Sequence, residues 1–279
     1  MTIASGVPVR DALDSAGVAI KASGSETPRL DAELLLAHVL GVRREALFLD
    51  PGHEVAGPQI REYQSLVRRR AVEHAPVAYL IGTRGFRRLD LAVDPRGLIP
   101  RPETELLVEV GLELPQGASV VDVGTGSGAI ALALADERPD LRVTATDVDE
   151  GALALARENA ARLGLDVSFA AGDLLDAVAG AAFDAVLSNP PYIPDGDRAG
   201  LPADVRDHEP PGALFAGADG LDVYRRLIPQ AAAVVPLVAV EVGAGQAAAV
   251  EALMREAGLT STEARPDLAG IPRVVVGRT

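Results

Sequence analysis

The chain has 279 residues, enough for one large domain or two ordinary ones, and 48% of them are hydrophobic, so a sizeable core is expected. Its formal net charge of −14 argues against a general polyanion binder, because phosphate contact needs clustered Lys and Arg. The absence of cysteine excludes disulfides and thiolate metal sites, and a cytoplasmic setting fits it.

The N-terminal stretch MTIASGVPVRDALD holds no apolar signal core. The first third then reads as helical. A short helix starts at Asp11. Pro28 and Asp31 open a second through Leu40, with Leu30, Leu34 and Ala37 at helical spacing and Gly41 as its stop. Pro58 opens a third over Gln59–Glu73, closed by Arg68, Arg69 and Arg70. Cations at a helix C-terminus are favoured by its dipole, so the triplet is expected to be a solvated helix end. Residues Gly85–Ile99 read as a β-hairpin linker: Phe86, Leu89, Leu91 and Val93 partly alternate, and Asp94-Pro95-Arg96-Gly97 is turn chemistry. Pro100 and Pro102 break it, and Glu103–Leu114 returns to helix. The expected division is a helical domain over 1–84, a hairpin linker over 85–99 and a second domain over 100–279.

From Ser119 strands and helices alternate. The expected strands are Ser119–Val123, Arg142–Thr146, Val167–Ala170, Ala185–Ser188, Leu237–Val242 and Arg273–Val276. The expected helices are Ala129–Glu137, Glu150–Leu163, Gly220–Ala233 and Gln246–Ala257. Such alternation specifies an α/β domain with a mostly parallel sheet covered on both faces. Ligands of such sheets bind outside the carboxyl ends of the strands. Apolar stretches such as Gln230–Val240 are too short to span a bilayer, so no membrane partner is expected.

The motifs fall at those carboxyl ends. Gly124-Thr125-Gly126-Ser127-Gly128 separates the first strand from its helix, where glycine lets the backbone turn tightly and approach a ligand. Asp147 ends the second strand, where an acid can accept hydrogen bonds from two ribose hydroxyls. Both features fit a nicotinamide dinucleotide as well as S-adenosylmethionine. Asp149 reads as a helix cap. Asp173 and Leu174 follow the third strand, placed to meet an adenine amino group and ring; a helix cap and a core residue are the plainer readings. Asp122 either approaches a ligand's amino-acid end or braces the loop.

The fourth strand separates the cofactors. Asn189-Pro190-Pro191-Tyr192 follows it, and two prolines cannot continue a ladder. The loop offers an amide oxygen, free carbonyls and a ring. Asn189 and the Pro190 carbonyl can accept both hydrogens of a planar –NH2 group while Tyr192 packs on its face. A dehydrogenase has no use for such a loop, whereas a methyl transfer to nitrogen does.

Asn-Pro-Pro-Tyr after strand four, with Asp122-x-Gly124-x-Gly126-x-Gly128 at strand one, resembles the amino-methyltransferases of planar nitrogens. Four blocks narrow this: 76–82 (PVAYLIG), 98–105 (LIPRPETE), 188–193 (SNPPYI) and 205–210 (VRDHEP) resemble the HemK/PrmC family. That resemblance covers nearly the whole chain. It implies a class I S-adenosylmethionine-dependent methyltransferase fold, Rossmann-like, with a small N-terminal helical domain. It implies S-adenosyl-L-methionine as cofactor and peptide-chain release factors as partners, methylated on the glutamine of their Gly-Gly-Gln loop. Cofactor contacts are implied from Gly124 through Gly128 and from Asp147, Leu174 and Asn189, with Asp173 joining them on the reading above. Substrate contacts are implied from Asn189, Pro190, Pro191 and Tyr192, with Asn189, Pro190 and Tyr192 as the catalytic set. The alternative is an amino-methyltransferase of a nucleic-acid base, adenine N6 or guanine N2, which the charge argues against.

No general base stands out: His208 and Glu209 lie near the Asn-Pro-Pro-Tyr loop in sequence, but a lone His reads as a surface or packing residue. Neither His38, His53, His74 nor His208 pairs at ligand spacing, so no metal is expected. Arg101 and Glu103 are expected either to pair with each other or to touch the cofactor. The helical domain is expected to dock the release factor, with Arg68–Arg70 as a candidate contact. The protein is expected to act as a monomer without binding nucleic acid directly.

Overall fold

The computed structural model describes residues 6–279. Residues 1–5, part of the N-terminal stretch considered above, lie outside the described residues. The chain divides into two compact units, one ending at Gly82 and including Pro202–His208, the other formed by Thr83–Leu201 and Glu209–Thr279.

The first unit is helical. It comprises β1 (Val7–Pro8), α1 (Val9–Ala22), α2 (Pro28–Leu40), α3 (Ala46–Leu49), β2 (Glu54–Val55), α4 (Gly57–Val72), α5 (Val77–Ile81) and the later segment α9 (Ala203–His208). α1 begins two residues before Asp11 and runs 14 residues, longer than its short apolar signal suggested. Its core gathers Leu13, Ile20, Leu35, Leu36 and Tyr63. The arginine triplet at the end of α4 is not uniformly solvated. Arg68 and Arg69 are exposed, but Arg70 is buried. Its Nε donates to Asp31 Oδ2 at 2.8 Å, and its Nη1 lies 3.2 Å from Asp204 Oδ2. Asp31 also accepts from the Ser25 and Thr27 hydroxyls at 2.9 Å each. The carboxylates explain why a guanidinium sits inside: a buried charge needs partners, and here two are supplied.

In the second unit the hairpin appears as β3 (Thr83–Phe86) paired antiparallel with β4 (Leu89–Ala92). It turns at Arg87-Arg88, and the Asp94–Gly97 turn follows it. Phe86, Leu89 and Leu91 are buried in the core of this unit, so the hairpin is packed structure. After it come α6 (Glu105–Leu112), β5 (Ser119–Val123), α7 (Ala129–Glu137), β6 (Arg142–Asp147), α8 (Glu150–Leu163), β7 (Ser168–Ala171), β8 (Ala185–Ser188), α10 (Asp222–Ala232), β9 (Leu237–Glu241), α11 (Ala247–Glu256), β10 (Ser261–Pro266) and β11 (Pro272–Arg278).

The seven-stranded sheet has the order β10-β11-β9-β8-β5-β6-β7. β9, β8, β5, β6 and β7 run parallel; β11 and β10 are antiparallel additions at one edge. Residues alternate between its faces. Val120, Ala145 and Leu187 join the cluster under α6 and α7, while Val121, Val186 and Val238 join the one under α10 and α11. β10 was not expected. Ser-Thr-Glu-Ala-Arg-Pro carries no apolar alternation because, as an edge strand, it pairs on one side and stays largely exposed.

The chain builds outward from β5 through β6 to β7, then returns to place β8 on the other side of β5. The reversal leaves a crevice at the carboxyl ends of β5 and β8, where doubly wound sheets bind ligands.

Candidate active site

A cavity of about 430 Å³ opens at that switch point. Gly124, Thr125, Gly126 and Ser127 line it from the loop after β5, and Asp147 from the end of β6. Asp173 and Leu174 line it after β7, and Asn189, Pro190 and Pro191 after β8. Loops far apart in sequence thus converge because parallel strands end on one side of the sheet. Two residues of the expected set, Gly128 and Tyr192, are not on the lining.

The glycine loop follows from backbone geometry. Gly124 and Gly126 have φ of 74° and 57°, a region a side chain disfavours, and a Cβ on either would meet no protein atom within 4 Å. Both therefore leave open space on the cavity side. Gly128 serves packing instead. A Cβ there would come within 2.8 Å of Leu132 and 3.2 Å of Ala156, so its small size permits close approach of α7 and α8.

The carboxylates divide similarly. Asp147 Oδ2 accepts from the Gly126 N–H and Oδ1 from the Asp149 N–H, both at 2.9 Å. Burial nonetheless raises its pKa above the usual carboxylate value. Asp149 caps α8 through the Gly151 and Ala152 N–H groups. Asp122 braces the loop: fully buried, its Oδ2 accepts from the Thr125 hydroxyl at 2.6 Å and the Ala131 N–H at 3.2 Å. Desolvation pushes its pKa up to about 7. Asp173 makes no helix-capping hydrogen bond; its carboxylate pairs with Arg226, which also lines the cavity. Leu174 has a φ of 51° and packs partly against the core.

On the opposite wall, Asn189 Nδ2 donates to Thr104 Oγ1 at 3.1 Å, and the Thr104 hydroxyl donates to Glu241 Oε2 at 2.6 Å. Thr104 lines the cavity; Glu241, at the end of β9, is buried behind it. Burial pushes the Glu241 pKa up to about 7. Tyr192 packs partly against the core beneath α10 and α11, where burial raises its pKa to about 12. Gln246 clamps this loop: its Oε1 accepts from the Gly243 N–H and its Nε2 donates to the Tyr192 carbonyl, each at 2.9 Å.

Arg101 pairs with Glu209, not with Glu103, and Glu209 also accepts from the Ile99 N–H at 3.2 Å. His208 Nε2 lies 2.7 Å from the Glu73 carbonyl within the helical unit. Among the described residues no group of three or more His, Cys, Asp or Glu is arranged to hold a metal. No helix among them is long and apolar enough to cross a membrane.

Sequence reasoning missed Thr104, Glu241 and Asn159. Asn159, wholly buried in α8, donates to the Ala92 carbonyl at 3.0 Å and the Ser127 carbonyl at 2.9 Å, and accepts from the Ala92 N–H at 2.7 Å. It ties the hairpin to the glycine loop. The available signals were a lone acid closing the apolar strand Leu237–Glu241 and a lone amide on the apolar face of α8.

The lining suits an adenosine sulfonium. A positive-φ glycine turn leaves open space, a carboxylate ends β6, and Leu174 and Val148 offer apolar surface beside Asp173.

Known proteins resemble this chain in sequence and fold. A family model described as the PrmC N-terminal domain matches residues 11–82, and one described as the Methyltransferase small domain matches residues 102–200. The release factor glutamine methyltransferase of Deinococcus radiodurans is 44% identical over 278 residues, covering 97% of this chain and 98% of that protein. The protein of the same name from Rhodospirillum rubrum is 42% identical, covering 95% and 83%. Among solved structures, a Pyrococcus furiosus methyltransferase superposes with a TM-score of 0.50 at 22% identity, covering 68% of this chain and 88% of that one. The hMettl16 catalytic domain, in complex with a MAT2A 3′UTR hairpin, gives 0.56 at 14% identity, covering 79% and 81%. At such identities the structural likeness speaks to the fold alone.

Proposed function

The chain belongs to the release factor glutamine methyltransferase family, and we propose that it methylates the side-chain amide nitrogen of the glutamine in the Gly-Gly-Gln loop of peptide-chain release factors. Its cofactor, S-adenosylmethionine, supplies an electrophilic sulfonium methyl. We assign Gly124, Thr125, Gly126, Ser127, Asp147, Asp173, Leu174 and Asn189 to holding it. Asp147 would accept from the ribose hydroxyls and Leu174 would offer its side chain to the adenine.

A neutral carboxamide is a poor nucleophile, because its nitrogen lone pair is delocalised into the carbonyl. The site therefore works by orientation and electrostatics. Asn189 Oδ1 and the Pro190 carbonyl accept the two amide hydrogens. As positive charge develops on nitrogen these hydrogen bonds strengthen, so they favour the transition state. Pro190 and Pro191 hold the acceptors still, and Tyr192 supports the loop from the core side. The observation that carries the reading is the convergence of Asn189 and the glycine loop on one cavity at the sheet's switch point.

The finer proposals are that the protein acts as a monomer in the cytoplasm, without binding nucleic acid directly. The net charge of −14 supports the last of these. The helical unit is proposed to grip the release factor, since a small crevice cannot alone select one glutamine of a large protein. The test is incubation of the purified chain with methyl-labelled S-adenosylmethionine and a release factor. Label is expected on the Gly-Gly-Gln glutamine and should vanish when that glutamine is replaced. Label found in nucleic acid instead would overturn the reading.

A further inference from the structure

Asn189 is useful to an amide substrate only with its oxygen turned toward it. The side chain is nearly symmetric in shape, so sterics alone cannot choose between oxygen and nitrogen. The choice must come from its neighbour, and among the described residues the side-chain hydrogen bond of Asn189 is the 3.1 Å contact to Thr104 Oγ1. A threonine hydroxyl has one proton, and here it is directed 2.6 Å to Glu241 Oε2. A carboxylate only accepts, so while Glu241 is ionised the Thr104 oxygen has only lone pairs left to offer Asn189. It can meet the amide nitrogen but not the amide oxygen. We propose that Thr104 and Glu241 form a polarity relay that fixes the Asn189 amide with Nδ2 held and Oδ1 left to accept from the substrate, and that a proton on Glu241 reverses it.

The reversal follows from the same count. A protonated Glu241 donates to Thr104 Oγ1. The threonine proton is then free to turn to Asn189, which must present Oδ1 to receive it. The amide would offer its two N–H groups to a substrate –NH2 that needs acceptors, and turnover would fall.

The surroundings place this proton in an accessible range. Glu241 is 2% exposed at the end of β9. Burial is the main force raising its pKa, and Glu103 raises it further; the Thr104 hydrogen bond, Arg273 and Arg101 oppose it. The Tyr192 and Tyr224 phenols also face it, and the Tyr224 hydroxyl donates to the Glu241 backbone carbonyl at 2.7 Å, fixing the strand end. The resulting value of about 7 lies where ordinary buffers can titrate it. Thr104 and Glu241 are positioning residues on this account: both act through Asn189.

The inference rests on the proposed amide substrate, but the relay has a readout of its own. In the full chain, the side-chain amide resonances of Asn189 should titrate with pH, and Glu241→Gln should abolish that titration. Resonances that do not move between pH 5.5 and 8.5, or that titrate identically in Glu241→Gln, overturn the relay whatever the substrate. Kinetics on a release factor supply the second arm. Thr104→Val should lower kcat about tenfold or more, with S-adenosylmethionine affinity within about threefold, and Thr104→Ser should restore kcat. The acid limb of the kcat profile should flatten in Glu241→Gln, which can still accept from Thr104. A Thr104→Val enzyme that binds cofactor and turns over like the wild type would overturn the inference. A wild-type enzyme inactive on release factors, yet showing the Asn189 titration, would instead overturn the assigned substrate.

Discussion

The Ser188 hydroxyl donates to the Val123 carbonyl at 2.6 Å, joining the last residue of β8 to the last residue of β5. The next residues along the two strands are Asn189 and Gly124, both on the cavity lining. This buried hydrogen bond thus reinforces, at its last pair, the β5–β8 ladder that spaces the proposed substrate acceptor from the proposed cofactor loop. Ser188→Ala removes it at a fully buried position. The expected cost is about 1–2 kcal/mol of stability. Because the lost bond is at the crevice, kcat should fall along with the urea midpoint. A variant destabilised to this extent with unchanged kcat would show that the strand ends hold their spacing without it.

Asn159 is the stronger test of how the glycine loop is supported. Asn159→Leu leaves the Ala92 N–H, the Ala92 carbonyl and the Ser127 carbonyl without this partner inside the protein. Each unsatisfied buried group costs about 1–3 kcal/mol. A loss on the order of 3 kcal/mol or more is expected in urea unfolding, with weaker cofactor binding by calorimetry. Asn159→Asp should fare no better, because a carboxylate cannot donate to the two carbonyls.

The contrast between these residues and the motifs shows what was legible in the sequence. Asn189-Pro190-Pro191 and the 124–128 glycines are local: proline and glycine constrain the backbone wherever they stand, so their meaning can be read without the fold. The parallel sheet was legible because short strands, apolar in β8 and β9, alternate with helical patterns along the chain. Thr104, Asn159 and Glu241 act through partners 137, 67 and 137 residues away, as in the bonds Thr104–Glu241 and Asn159–Ala92. A pairing of that separation leaves no periodic trace. Arg70 misled for a related reason, since its acceptors Asp31 and Asp204 lie far from it in sequence, one on either side. Gly128 matched a motif position, yet its place is set by packing against Leu132.

Asp122 gives a pH prediction. Burial raises its pKa in the folded state from 3.8 to about 7. Between those values the folded chain holds a proton that the unfolded chain has released. Its contribution to stability is therefore fully present below the unfolded pKa and is lost as pH rises through about 7. Unfolding free energy should fall by a few kcal/mol, on the order of 3–4, from this group between about pH 4 and 7. Glu241 acts in the same direction. Asp122→Asn should accordingly flatten the dependence of the urea midpoint on pH without abolishing it. Equal slopes in the two proteins would show that Asp122 is not held protonated.

Asn189→Ala tests the proposed acceptor directly. Loss of one preorganised acceptor in a closed site costs on the order of 3 kcal/mol in the transition state, or about a hundredfold in kcat. Cofactor binding, shared among the glycine loop and Asp147, should fall far less. A proportionate loss of both would reassign Asn189 to the cofactor alone.

The three arginines at the end of α4 should separate into two kinds. Arg70 is buried against Asp31 and Asp204, so Arg70→Ala strands the buried Asp31 carboxylate and should cost about 3–5 kcal/mol of stability in the helical unit. Arg68 is exposed, and Arg69 is exposed with only a 3.9 Å contact to Glu73, so both are free to meet a partner at little structural cost. Reversing both, Arg68→Glu with Arg69→Glu, should leave the melting temperature nearly unchanged. If the helical unit docks the release factor through this end of α4, KM for the intact factor should rise about tenfold or more, and more steeply at low salt than at high. KM for a short Gly-Gly-Gln peptide, which reaches only the crevice, should stay as it was. An equal change on both substrates, or none on the intact factor, would remove this helix end from the docking surface.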